Sequence, residues 1–161
     1  MEWHRRKALE TLRPILAEHP FTHGLSERQL ESLTGCASNR VFNAGQIVFR
    51  EGEQANEFYL IREGKMAVEL HAVERGGINI LTVSAGEVLG WSWLVPPYRW
   101  NFDARAVEST RAIALDGKCL REKSERDTDL GYQLLKRIAA IMEERLQATR
   151  LQLLNMYELH S

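Results

Sequence analysis

Residues 90–103, Gly-Trp-Ser-Trp-Leu-Val-Pro-Pro-Tyr-Arg-Trp-Asn-Phe-Asp, hold three of the chain's four tryptophans, two of its four prolines and a single arginine. Flat aromatic faces can stack on a planar ligand, and an arginine can hold an anion. The segment is therefore a candidate pocket. Other chemistry is sparse. The five histidines, at positions 4, 19, 23, 71 and 160, form no HxH or HxxxH pair within the β-rich zone described below, so a metal site there has no ligands. No GxSxG nucleophile motif occurs. Glu51, Glu53, Glu57 and Glu63 lie near turn glycines and read as solvated carboxylates. The Gly76-Gly77 pair is expected to be a hairpin turn and not a phosphate loop, because no helix follows it. Asp103 and Arg105 sit two apart on an expected strand and face the same way, which predicts an ion pair between them. An enzyme is not expected.

Bulk properties narrow the partners. At 44% hydrophobic and 27% charged, the 161 residues are globular in composition. A net charge of −1 offers no global attraction for nucleic acid. Cys36 and Cys119 follow no CxxC or metal spacing and read as small buried residues in a reducing compartment. No apolar run approaches the roughly 20 residues of a membrane span, and no secretory signal pattern opens the chain. A cytoplasmic location is expected.

Three zones position the candidate pocket within a single domain. Residues 1–37 read helical, with Ala8, Leu9, Leu12, Ile15 and Leu16 on one face and Pro14 as an expected break. Ser26 and Gln29 form a capping-box pattern ahead of Leu30 and Leu33. Residues 38–116 alternate short β-rich runs with turns at Gly45, Gly52, Gly64, Gly76-Gly77 and Gly86, the rhythm of an antiparallel barrel or sandwich. Residues 117–161 are helical again. From about 128 to 159, Leu135, Ala139, Met142, Leu146, Thr149, Leu153 and Met156 repeat at spacings of four and three, a heptad seam. Leu134, Ile138, Ile141 and Ala148 make a second stripe. Two apolar stripes on one long helix predict a homodimer through the seam formed by Leu135, Ala139, Met142, Leu146, Leu153 and Met156.

The middle zone resembles the cyclic-nucleotide-binding domain of the Crp/Fnr-type sensor family. The resemblance rests on Phe42, Gly45, Val48, Phe49 and Gly52, then Tyr59, Ile61 and Gly64, with "SAGEVLGW", "DARAVESTRAIALD" and "RIAAIMEERLQATRLQLL" farther on, and it covers most of residues 20–157. It implies an α+β fold: an antiparallel, jelly-roll-like β-roll with N-terminal helices and a long C-terminal dimerisation helix. Many such proteins continue into a helix-turn-helix. This chain ends where that domain would start, so direct DNA reading is not expected.

By the same resemblance, the segment from Gly90 onward is the cassette that holds a cyclic phosphate. A glutamate expected after the cassette glycine is Trp91 here, and indole has no acceptor to offer a ribose hydroxyl. Counting back from Arg105-Ala106, the phosphate arginine falls at Trp100 and the small hydroxyl residue after it at Asn101. Arg99 stands one step away, and one step along a strand turns a side chain to the other face. Trp100, Phe102, Ala104 and Ala106 should share one face, and Arg99, Asn101, Asp103 and Arg105 the other. Thr149 matches a threonine that meets the base in adenine-binding members. The candidate ligand pocket is thus Gly90, Trp91, Ser92, Arg99, Trp100, Asn101 and Thr149. The expected role is a regulatory or interaction module with a departed cassette, acting as a dimeric subunit through a partner protein or enzyme complex. The alternative is a sensor for a cyclic nucleotide or another small anionic or aromatic ligand. No cofactor is assigned with certainty, and a cyclic nucleotide is the candidate.

Overall fold

The computed structural model describes residues 11–72 and 76–160. Two compact units form, one running to Lys123 and one starting at Ser124.

In the first unit, residues 11–18 are helical (α1), Pro14 included, so the proline does not end the helix. A 3₁₀ turn at Pro20–Thr22 leads to α2, Glu27–Thr34. The expected capping box is present: Ser26 Oγ accepts from the Gln29 amide at 3.1 Å, and Gln29 Oε1 accepts from the Ser26 amide at 3.0 Å. Eight strands follow: β1 Ala37–Phe42, β2 Ile47–Phe49, β3 Glu57–Glu63, β4 Lys65–Ala72, β5 Gly76–Ser84, β6 Val88–Leu89, β7 Asp103–Ala106 and β8 Thr110–Asp116. They pair antiparallel in two four-stranded sheets, β1-β8-β3-β6 and β2-β7-β4-β5. Helix α3, Gly117–Arg126, closes the roll, and α4, Thr128–His160, forms most of the second unit. Gly76-Gly77 opens β5 rather than making a turn, with Ala72 opposite Gly76; the connection at 73–75 lies outside the described residues.

The core lies between the sheets. Phe42, Phe49, Tyr59, Ile61, Met66, Val68, Val83, Leu89 and Trp100 supply its bulk. Ala104 and Ala106 on β7 and Ala112 and Ala114 on β8 keep neighbouring positions small, which leaves room for aromatic rings. Strand β3 is buried on both faces: Tyr59 and Ile61 belong to this core, whereas Phe58 meets Phe21 edge-on, with ring centroids 5.1 Å apart. One turn shows why its glycine is needed. Gly64 has φ +97°, and a Cβ there would meet Thr110 Oγ1 and approach the Ser109 carbonyl to 2.6 Å.

Two side-chain pairings differ from expectation. Asp103 and Arg105 do not pair with each other. Asp103 Oδ1 accepts the Glu51 amide at 2.7 Å and its Oδ2 lies 2.6 Å from His71 Nε2, while Arg105 Nε donates to Glu69 Oε1 at 2.8 Å. Side chains two apart along one strand lie farther apart than partners across strands, so both residues reach over to β4. Cys36 and Cys119 are not independent buried thiols either. They form a disulfide with Cα atoms 5.7 Å apart. A sequence separation of 83 hides this pairing, because only the folded roll returns α3 to the end of α2.

His19 ties the 3₁₀ turn to the sheet. Its Nε2 lies 3.0 Å from the Ile61 carbonyl, and its Nδ1 accepts the Phe21 amide at 3.1 Å. That set of bonds requires the neutral ring with its proton on Nε2. Burial is the main cause holding its pKa below 6.5, against hydrogen bonds to the Ile61 and Glu87 backbone that raise it. The folded state then binds fewer protons than the unfolded state in this range. The His19 contribution is complete above pH 6.5 and is lost as pH falls through the lower folded value. Urea midpoints measured between pH 5 and 8 should drop toward acid, and His19→Gln should remove that part of the slope.

Candidate functional site

The cassette begins at Gly90, just after β6. Its φ is +81°, and a Cβ there would meet Trp100 Cζ3 and come within 2.6 Å of Cη2. The distal indole ring therefore rests on the glycine backbone. On its other contacts Trp100 stacks on Phe49, with centroids 3.8 Å apart and planes 7° from parallel, and Phe102 lies tilted beside both rings. Trp100 is only 3% exposed. The position where the resemblance expects a cationic guanidinium is thus filled by an uncharged ring inside the core.

Backbone pairing holds the indole in place. The Trp100 amide donates to the Glu53 carbonyl at 2.9 Å, its carbonyl accepts the Gly52 amide at 2.8 Å, and the Tyr98 carbonyl accepts the Ala55 amide at 2.7 Å. Those bonds place odd and even positions on opposite faces, as the alternation predicts. Trp100, Ala104 and Ala106 point into the core, and Phe102 packs partly against it. Arg99 and Asn101 are exposed. Arg99 Nη1 donates to the Gly52 carbonyl at 2.9 Å, so its charge caps a neighbouring turn.

Residues 91–98 are anchored away from the Trp100–Phe49 cluster. Residues 92–94 form a turn, with the Leu94 amide donating to the Trp91 carbonyl at 3.0 Å. Ser92 is buried and Trp91 half-buried. Trp93 is fully buried beside Phe58, with ring centroids 5.6 Å apart, and its indole N–H finds no hydrogen-bond partner among the described residues. Tyr98 has φ +58°, rare for a side chain of its size. Arg121 of α3 steadies this stretch: Nη1 donates to the Trp93 carbonyl at 2.6 Å, and the guanidinium lies 4.2 Å from the Tyr98 ring centroid.

In the second unit, Thr149 is exposed and its hydroxyl donates to the Arg145 carbonyl one turn back, at 2.8 Å. Along α4, Leu134 and Ile138 are buried. Leu135, Ala139, Met142, Leu146, Leu153 and Met156 are exposed, with Leu146 at 60%.

Sequence reasoning missed Phe49 as the stacking partner of Trp100, and Arg121 as the anchor of residues 93 and 98. Phe49 was visible only as part of the β-roll pattern. Arg121 carried no signal, because its role depends on α3 folding back beside residues 93 and 98.

Residues 39–127 match the family model described as the cyclic nucleotide-binding domain, and the chain belongs to that family. It is 27% identical over 126 residues to the CRP-like cAMP-activated global transcriptional regulator of Mycobacterium tuberculosis, covering 78% of this chain and 56% of the relative. It is 32% identical over 76 residues to the cAMP-dependent protein kinase regulatory subunit of Schizosaccharomyces pombe, covering 47% of this chain and 18% of that one. The chain therefore spans only part of these two relatives. A cyclic nucleotide-binding domain from Methylobacillus flagellatus has the same fold, with a TM-score of 0.80 at 17% identity over 92% of this chain and 86% of that one. The family is generally regulatory rather than catalytic.

The fit between Gly90 and Trp100 can be tested directly. Gly90→Ala adds both a positive-φ penalty and a clash with the indole, and should cost about 2–4 kcal/mol in urea unfolding. In a Trp100→Leu background the clash is gone, and the same substitution should cost only about 1–2 kcal/mol.

Proposed function

We propose that this protein is a non-catalytic regulatory module of the cyclic nucleotide-binding type whose cassette is closed by its own side chain. It acts as a dimeric subunit through a partner protein. The observation that carries this reading is the indole of Trp100, stacked on Phe49 and seated on Gly90. A nucleotide bound in the family's manner needs a buried cation for its phosphate, and this position offers none. Expelling the indole would return on the order of 200 Å² of apolar surface to water, about 5 kcal/mol, or roughly three to four decades of affinity. Trp91 adds to the deficit, since it cannot accept a hydrogen bond from a ribose hydroxyl.

The names of the relatives favour the alternative, a cAMP sensor. Calorimetric titration with cAMP and with cGMP separates the two readings. Neither nucleotide should bind more tightly than about 10 μM. Saturable one-site binding below that value would establish the sensor reading and end this one.

The dimer is supported by the exposed seam on α4. Leu146, Leu153 and Met156 are each more than half exposed, and apolar residues at heptad spacing are the pattern two helices bury against each other. Light scattering should give twice the chain mass for the native protein and the single chain mass for Leu146→Asp. An unchanged dimer in the variant would place the interface elsewhere.

A further inference from the structure

Helix α3 is fastened on two sides. Cys119, in its first turn, is covalently joined to Cys36, which follows directly after α2 and Gly35. Four residues on, the Lys123 ammonium donates to the Ser32 carbonyl of α2. Cys119 and Lys123 therefore attach one side of α3 to the N-terminal helices. Between them, Arg121 bonds the Trp93 carbonyl and covers the Tyr98 ring. Tyr98 sits in the left-handed region, a conformation that persists only where neighbours hold it. One helix thus connects the sulfur pair to the strained part of the tryptophan cassette.

From this arrangement we propose that Cys36–Cys119 is a thiol-redox switch whose state α3 transmits, through Arg121, to cassette residues 91–100. The input is a low-molecular-weight dithiol or disulfide couple. Cys119 is half-buried and Cys36 buried, so an incoming thiolate reaches the Cys119 sulfur first. It forms a mixed disulfide there and expels the Cys36 thiolate, which takes up a proton. The second thiol of the reductant attacks its own sulfur in the mixed disulfide and releases Cys119. Two electrons pass to the protein, and the reductant leaves as a cyclic disulfide. Reduction leaves α3 tied to α2 without a covalent link, so Arg121 holds Tyr98 less firmly and the cassette opens more often. The switch stands whether or not a nucleotide binds.

The test compares the whole chain in dithiothreitol and in oxidised glutathione, with intact mass reporting the redox state. Amide hydrogen exchange over 91–100 should be roughly tenfold or more faster in the reduced form, since a closed loop of this span usually confers more stabilisation than that. Re-oxidation should reverse the change. A Cys36→Ser/Cys119→Ser variant should exchange like the reduced form in both buffers. Arg121→Gln should retain the disulfide yet lose the difference between buffers. The proposal is overturned if exchange over 91–100 is the same in both verified redox states. It is also overturned if the pair stays reduced in excess oxidised glutathione, or if Arg121→Gln still transmits the change. The native comparison needs no substitution, so misfolding of a variant cannot obscure the result.

Discussion

An indole lying flat on a phenyl ring, 3.8 Å between centroids, sets the interior of this β-roll. Trp100 can occupy that place only because Gly90 offers bare backbone beneath it and alanines at 104 and 106 leave space alongside. Several local features then follow from one constraint. Residue 90 must lack a Cβ. Strand β7 must be small on its inner face. The backbone of residues 98–100 must pair with residues 52–55 so that the ring points inward and Arg99 outward. A position that the resemblance associates with a charged ligand is here part of the hydrophobic core.

The polar groups around the core are arranged to leave that interior uncharged. Arg99 is spent on a turn carbonyl, Arg105 on Glu69, and Asp103 on His71 and a backbone amide. Each reaches across to a neighbouring strand or turn. The stretch from Trp93 to Tyr98 is organised differently, around the buried Trp93 ring and α3. Arg121 supplies a cation there, aimed at a carbonyl and an aromatic face. Inside, the cassette is therefore tied to the roll by apolar stacking. On its outer side it is tied to a helix by one guanidinium.

Much of the fold is legible in the sequence. Gly45, Gly52, Gly64 and Gly86 all have positive φ, which is why glycine marked the rhythm of the strands. Ser26 and Gln29 form the capping box that their spacing advertised. Alternation assigned Trp100, Ala104 and Ala106 to one face without any knowledge of their neighbours. The pairings of Asp103 and Arg105 were not legible, because a strand's own sequence is silent on which residues of the adjacent strand stand opposite. The disulfide was hidden for a related reason: two cysteines far apart in sequence carry no sign that the chain will bring them together.

Local chemistry was thus determined by the sequence alone: where turns fall, where helices start, and which face of each strand is apolar. Tertiary structure decided what the Trp100 indole does. Its stacking on Phe49 and its seat on Gly90 depend on three segments from different parts of the chain converging. The same holds for Cys36 with Cys119 and for Arg121 with Tyr98. Periodicity is a property of neighbours along the chain, whereas filling a cavity, closing a disulfide or covering a ring is a property of neighbours in space.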